Sequence, residues 1–254
     1  MLMENWNARL YNEKYNFVYA FGESLIDLLD PQPDERILDV GCGSAQLTAQ
    51  IAVKAQEVVG LDASAEMIED AKQRYPQIDF HVMDASSFKF DKPFDKIFSN
   101  AALHWVLDAK GAVRCMADHL KQNGKLVLEM GAKGNVQSIV AALREVLTAR
   151  GFLAQAKFQQ WYFPSVGEYT SLLEKHGFEV NMALCFDRPT PLADKATGIK
   201  DWLTMFGAAF LTGVPENEKE AIRAEVQKML EPTLLKGDTW LADYKRLRIM
   251  ATKK

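Results

Sequence analysis

The stretch from Arg36 to Ala45, RILDVGCGSA, constrains this chain more than any other: an apolar run ends in an acid and breaks into a glycine-rich turn. QLTAQIAV follows, with Leu47 and Ile51 on one helical face. A strand that delivers Asp39, then Gly41-x-Gly43, then a helix N-terminus is how a doubly wound α/β sheet holds the polar groups of a nucleotide-like ligand. Glycine lets backbone N–H groups approach where a Cβ would collide. Nineteen residues beyond Gly43, Asp62 ends a second apolar run, VVGLD. A carboxylate at that distance is placed to accept both ribose hydroxyls of an adenosine, or else to cap the helix that begins after it.

The rest of the chain alternates in the same way. Tyr19 to Leu29 has apolar residues at helical spacing and stops at Asp30-Pro31. Strand signals at 37–40, 58–61, 80–83, 96–99 and 126–130 are separated by helix signals at 46–53, 65–75 and 109–120. In the second of these helices Met67, Ile68, Ala71 and Tyr75 share a stripe. The last of these helices ends near Asn123-Gly124. Such alternation with short connections means a parallel sheet covered by helices on both faces. After Met130 come amphipathic helices over 136–149 and 166–176, a strand over 178–186, a helical, aromatic-rich stretch from Pro189 to Asp238, and a last strand over 244–250. An insertion between the last two strands belongs over the C-terminal edge of the sheet, where such folds bind ligands, and reads as a substrate cap or as a plain helical core. Lys245, Arg246 and Arg248 read as the solvated side of an edge strand.

With 254 residues, 48% of them hydrophobic, the chain is able to bury a large core. A net charge of −4 gives no electrostatic case for nucleic acid. Cys42, Cys115 and Cys185 are isolated and the four histidines scattered, which predicts reduced thiols and no metal site. The N-terminal MLMENWNARLYNEKYN has no apolar h-region, and no stretch approaches the ~18 apolar residues of a spanning helix. The expectation is a cytoplasmic globular protein, monomeric or weakly dimeric, that acts on a small molecule away from membranes.

A dinucleotide fingerprint wants G-x-G-x-x-G, but the third position here is Gln46, and the phosphate-loop G-K-[ST] is also absent. What remains is D-x-G-x-G-x-[GA], and with it the chain resembles the class I S-adenosylmethionine-dependent methyltransferases. The resemblance covers nearly the whole length. Asp39 to Gly43 matches the first motif, Gly60 to Met67 the second, Met83-Asp84-Ala85 the third, and Phe94 to Trp105 (FDKIFSNAALHW) the fourth. Ala45 stands where the family usually has Gly, and Lys121 to Lys125 stands at the family's turn before the fifth strand. Trp6-Asn7 with Tyr11, the SNAALHW segment and the closing WLADYKRLRI look most like the trans-aconitate methyltransferase branch.

The resemblance implies a Rossmann-like, doubly wound sheet of seven mostly parallel strands with a helical cap. It implies one methyltransferase domain over 1–254, with an N-terminal helical segment at 1–30, a cofactor-binding core at 31–135 and the cap at 189–238. It implies S-adenosylmethionine as cofactor, held by Asp39, Gly41, Cys42, Gly43, Asp62, Ala63, Met67, Asp84, Ala85, Asn100, Ala101 and Tyr11. Each side chain also has a plainer reading: Asp84 as a turn acid, Met67 as core, Asp39 as a partner for backbone donors. Trp6, Tyr11 and Trp105 either wall the sulfonium or anchor the N-terminal segment. His104 is the catalytic candidate as a general base, or a packing and capping residue.

A carboxylate acceptor needs no base, which suits the scarcity of acid–base candidates and makes a carboxylate oxygen the expected acceptor. A hydroxyl or amine acceptor, with His104 as base, is the alternative, as is a binding module without turnover. The [DN]-P-P-[YF] motif of nucleic-acid and protein amine methyltransferases is absent after the fourth strand, where the chain reads Ser99-Asn100-Ala101-Ala102.

Overall fold

The structure is a computed structural model, described here for residues 23–254. Tyr11, Trp6 and most of the expected N-terminal helical segment lie outside the described residues. The described residues form two compact units: one of 23–132, 164–185 and 247–254, the other of 133–163 and 186–246.

The first unit carries the alternation read from the sequence. Helix α1 (Glu23–Leu29) leads into β1 (Arg36–Val40), α2 (Gln46–Ala52), β2 (Glu57–Asp62), α3 (Ala65–Arg74), β3 (Asp79–Val82) and β4 (Phe94–Asn100). A 3₁₀ turn (Leu103–Trp105), α4 (Ala109–His119) and β5 (Leu120–Gly131) follow. Strand β1 pairs in parallel with β2 and β4, β2 with β3, and β4 with β5. Helix α7 (Val166–Glu174) and the near parts of β6 (Phe178–Pro191) and β8 (Thr239–Lys253) complete this unit. The strand order is β3-β2-β1-β4-β5-β8-β6, the mostly parallel seven-strand path expected, with a two-residue β7 (Leu235–Lys236) paired to β8 in addition. The order reverses direction between β1 and β4. That switch point opens a crevice at the carboxyl ends of the strands.

The strands are apolar because both faces are covered. Ile37, Leu38 and Val40 of β1 and Ile97 and Phe98 of β4 are fully buried. Lys96 of β4 and its register partner Lys125 of β5 both donate to carbonyls at the end of α1, those of Asp30 and Leu28. Two ammonium groups thereby satisfy a helix C-terminus that lacks intrahelical partners.

Three expectations are corrected. The basic residues of β8 are not on a solvated edge, since β8 lies between β5 and β6. Arg246 is buried, and Arg248 donates through Nε (2.8 Å) and Nη2 (2.7 Å) to Oε2 of the buried Glu129. Lys121 to Lys125 does not precede β5 but bulges within it: two steps along β4, Phe94 to Lys96, face five along β5, Leu120 to Lys125. Asn123 takes φ +64°, and a Cβ on Gly124 would stand 2.8 Å from the Lys121 carbonyl, so the Asn-Gly pair is what lets the bulge close. Finally, Pro189 to Pro191 continues β6 as strand. Prolines sit there because β6 ends the sheet, where an amide N–H is dispensable. Helix resumes only at α8 (Gly198–Phe206), a 3₁₀ turn (Ala208–Leu211) and α9 (Glu216–Leu234).

The second unit contains α5 (Gln137–Ala149), a one-turn α6 (Leu153–Ala156), α8 and α9. Ile139, Leu143, Val146 and Leu147 of α5 are buried, as are Ile222, Val226 and Leu230 of α9, and the two helices pack together. An aromatic cluster joins Trp161 to Phe163 (5.7 Å, stacked), Phe210 (5.7 Å) and Trp202 (6.1 Å). Trp202 Nε1 donates to the Tyr244 hydroxyl at 2.8 Å, and the Arg246 guanidinium stands 4.7 Å above the Tyr244 ring.

Gly41 gives the sharpest test of the switch point. Its φ is +78°, and an added Cβ would lie 2.1 Å from the Cβ of Ala102. Gly41→Ala is expected to cost about 2–4 kcal/mol, part from the left-handed backbone and part from overpacking. The double variant Gly41→Ala/Ala102→Gly should recover only the packing part. Calorimetric melting of both variants reads this. A Gly41→Ala protein as stable as the parent, or a double variant with no recovery, contradicts the contact.

Candidate functional site

The crevice is assembled at the ends of β1, β2 and β4. Gly41 N–H and Cys42 N–H both donate to the Leu61 carbonyl, at 2.7 and 3.0 Å, which ties the turn to the end of β2. Gly43 (φ +54°) has nothing within 4 Å of where a Cβ would project, so open space lies above it. Its N–H donates to Asp62 Oδ2 at 3.0 Å, while Ser64 N–H donates to Asp62 Oδ1 at 2.8 Å. One carboxylate thus bridges the glycine turn and the start of α3. The N–H of Ala63 lies close enough to add to this hold on the carboxylate. Capping of α3 falls instead to Ser64, whose Oγ accepts from Met67 N–H at 3.2 Å.

Asp39 is buried, and its Oδ2 accepts from the Thr48 hydroxyl at 2.7 Å. Burial pushes its carboxyl up to about 7, against the pull of the Thr48 bond and with a smaller push from Asp62. Burial likewise raises Asp62 above the ordinary carboxylate range, opposed by the N–H groups of Ser64 and Gly43. The buried Cys42 thiol is raised too, by burial first and then by Asp39 and Asp62, so it is an inert packing group beside the crevice. The methyl of Ala45 does not face the open space: the residue is fully buried in a cluster with Ile68, Ala71 and Phe80, and it takes φ +68°.

Asp84 lies past the end of β3, exposed, with Oδ1 accepting from Ser86 N–H (2.7 Å) and Oγ (2.6 Å), and Ala85 beside it is buried. Ala63 is exposed and Met67 buried. Asn100 ends β4. Ala101 follows in the left-handed region (φ +57°), its N–H donating to the Glu129 carbonyl at 2.8 Å. A non-glycine residue held there is the kind of strain that collects at ligand sites. His104, on the 3₁₀ turn just beyond, is buried, and its Nδ1 accepts from Gly131 N–H at 3.3 Å. The structure therefore brings together Asp39, Gly41, Cys42, Gly43, Asp62 and the Asn100–His104 segment, with Asp84 and Ala85 on the next loop beyond β2.

Three participants escaped the sequence reading: Thr48, Ser99, which donates to the Val40 carbonyl at 2.8 Å, and Glu129. Only Glu129 left a signal, a carboxylate inside the otherwise apolar run LVLEM. Among the described residues no cluster of three or more His, Cys, Asp or Glu is arranged for a metal, and no helix is long and apolar enough to cross a membrane.

The Asp39 shift makes a stability prediction. The folded protein holds the Asp39 proton up to about pH 7, whereas the unfolded chain releases it near pH 4, its usual value being 3.8. Stability from this group is full below the lower value and is lost as pH rises through the upper one. The difference of about three pH units corresponds to a few kcal/mol. Asp39→Asn, neutral and still able to accept from Thr48, should melt higher than the parent at pH 8 and like it at pH 4. An equal melting difference at both pH values contradicts the shift.

Comparison with known proteins follows this geometry. A family model described as "Methyltransferase domain" matches residues 37–124, the span from β1 to the bulge of β5. An uncharacterized methyltransferase, C70.08c, of Schizosaccharomyces pombe is 32% identical over 259 residues, covering 98% of both chains. Trans-aconitate 2-methyltransferase of Escherichia coli (strain SE11) is 26% identical over 262 residues, covering 99% of both. The crystal structure of a putative methyltransferase from Bacillus halodurans C-125 superposes with a TM-score of 0.64 at 17% identity, over 91% of this chain and 97% of that one. The chain belongs to the class I S-adenosylmethionine-dependent methyltransferases, with S-adenosylmethionine as its cofactor.

Proposed function

We propose that this enzyme methylates a carboxylate oxygen of a small dissolved acid. The donor side of the reading rests on the crevice. Asp62 stands at the end of β2 beside the glycine turn, and Gly43 leaves open space where a side chain would project. Asp39 and Asp62 are both raised by burial, an environment that favours a ligand bearing an ammonium and a sulfonium. These features fit S-adenosylmethionine. Asp62 is assigned to the ribose, Asp39 and the Gly41–Gly43 turn to the methionine end, and Met67, Asp84 and Ala85 to the adenine. Asn100 and Ala101 are assigned to the side nearest the sulfur. When bound, the cofactor supplies an electrophilic methyl whose transfer to a carboxylate leaves a methyl ester and S-adenosylhomocysteine, the C–S pair passing to sulfur and no proton moving.

The observation that carries the acceptor reading is the full-length likeness to an enzyme named for trans-aconitate, a tricarboxylate. A carboxylate taken out of water needs a cationic partner. In the second unit Lys195 pairs with Asp238 and Lys200 with Glu220 on the surface, and Arg188 stands over Phe186. Arg246, buried against Tyr244, suits a desolvated carboxylate best. The segment 189–238 is assigned the choice of acceptor. The same reading makes the protein a cytoplasmic monomer or weak homodimer, without a role on nucleic acid or membranes.

Incubation with S-adenosylmethionine and a panel of di- and tricarboxylates, phenols and amines, with mass spectrometry of products, tests this. The expected product comes from a carboxylate and loses its methyl in mild alkali, as an ester does and an ether or N-methyl group does not. Arg246→Gln should raise KM for that acid tenfold or more, the size of one charge-assisted interaction, with cofactor affinity kept. An alkali-stable product from a phenol or amine contradicts the reading.

A further inference from the structure

The sheet is open along β3. This strand stands at one end of the strand order and pairs with β2 alone, so its other side has no neighbour among the described residues. Met83 N–H donates to the Asp62 carbonyl of β2 at 3.0 Å. Successive amides of a strand point to opposite sides, so the N–H and C=O groups of Phe80 and Val82 face outward. Edge strands are commonly blunted by lysine, proline or a bulge. Asp79-Phe80-His81-Val82 has neither lysine nor proline, and its register with β2 is regular, so only its length limits pairing.

Beside this edge lies an open groove of about 390 Å³, lined by Ala65, Ile68, Glu69, Lys72 and Gln73 of α3 and by Val82 of β3. The five helical positions follow the spacing i, i+3, i+4, i+7, i+8 by which a helix lays one stripe against another element. Yet all the lining residues except Ile68 are exposed, Val82 to 52%. The charges on the stripe are self-complementary. Glu69 and Lys72 are neighbours on the helix surface, and neither has an ion-pair partner among the described residues, whereas Asp70 and Arg74 of the same helix pair at 2.9 Å. A two-fold axis passing between Glu69 and Lys72 sets each of them opposite the other residue of a second copy, giving two ion pairs.

The strand and the helix share that axis. Helix α3 joins the end of β2 to the start of its parallel neighbour β3, so it runs antiparallel to β3. Val82 borders the groove with Ala65, Ile68 and Glu69. One residue back along β3, about 3.3 Å, is level with roughly two residues further along α3, at about 1.5 Å each. An axis through His81, about which Phe80 of one strand faces Val82 of its copy, therefore passes close to the midpoint of Glu69 and Lys72.

We infer that β3 and the outer stripe of α3 form a homodimer interface, in which β3 pairs antiparallel with β3 of a second copy and the two α3 helices lie side by side. The contact covers Val82 and satisfies the outward amides of Phe80 and Val82. It narrows the reading of a monomer or weak homodimer to the dimer, and it does not depend on which acceptor is methylated. A four-residue edge and one helical stripe bury little area, so dissociation in the micromolar range is expected.

Sedimentation velocity of the full chain from about 1 to 200 µM, a span that brackets micromolar dissociation constants, tests this. The expected result is a reversible dimer. Glu69→Lys and Lys72→Glu each set like charges across the axis and should weaken the dimer tenfold or more. Both positions are exposed, so the fold is kept, which thermal melting checks. The double variant Glu69→Lys/Lys72→Glu reverses both charges and should recover most of the loss. An equimolar mixture of the two single variants should form a mixed dimer. A parent that stays monomeric at the highest concentration, with or without another protein captured at this face, overturns the inference. So does a dimer that both single variants leave unchanged, or a double variant that associates no better than the single ones.

Discussion

The crevice depends on one carboxylate. Asp62 accepts from Gly43 on one side and Ser64 on the other, so a single side chain fixes the turn after β1 relative to the helix after β2. The backbone supports it from below, where the Leu61 carbonyl takes the N–H groups of Gly41 and Cys42. Gly60 has to be small for the same construction to close, because a Cβ there would meet Phe80 at 2.6 Å and Cys42 Sγ at 2.9 Å. With turn, strand end and helix start tied together before any ligand arrives, little ordering remains to be done on binding.

The electrostatics run against the apoprotein. Asp39 and Asp62 are both held above their ordinary range by burial, and Asp62 adds to the cost of ionising Asp39. Structural acids are usually shifted the other way, by cations or hydrogen bonds that hold them ionised. An upward shift of two neighbouring carboxyls at the switch point is the pattern by which functional sites are recognised. Elsewhere in the same unit the buried Glu129 has its counter-charge within the protein, where Arg248 is bonded to it twice.

The cofactor half of this arrangement was legible in the sequence because local signals and global fold agree there. The parallel strands are apolar on both faces, the turn needs glycines at positive φ, and the carboxylate stands at a set distance from them. Legibility failed where the cause lies outside the local pattern. Arg246 and Arg248 looked like an edge because strand order, which places β8 between β5 and β6, is not written in the strand itself. Asn123-Gly124 reads as a turn in either setting, and only the register with β4 makes it a bulge. Ala45 stands in the family's glycine position because its methyl faces the core rather than the crevice, which no spacing argument reveals. The state of His104 depends on a backbone amide 27 residues away. Acceptor choice is the least legible of all, since the chemistry asked of the protein is orientation and desolvation, which many residue sets supply on one fold.

The central claim is that Asp62 holds the ribose of the cofactor, and a thermodynamic cycle tests it most directly. Calorimetry would compare the parent and Asp62→Ala, each with S-adenosylhomocysteine and with an analogue lacking the 2′- and 3′-hydroxyls. Any general weakening of the turn by the substitution affects both ligands and cancels in the cycle. The account predicts that the parent loses tenfold or more on removal of the hydroxyls while Asp62→Ala loses little, a coupling on the order of 1.5–3 kcal/mol. Equal losses in the two proteins, with the variant shown to be folded, would contradict it.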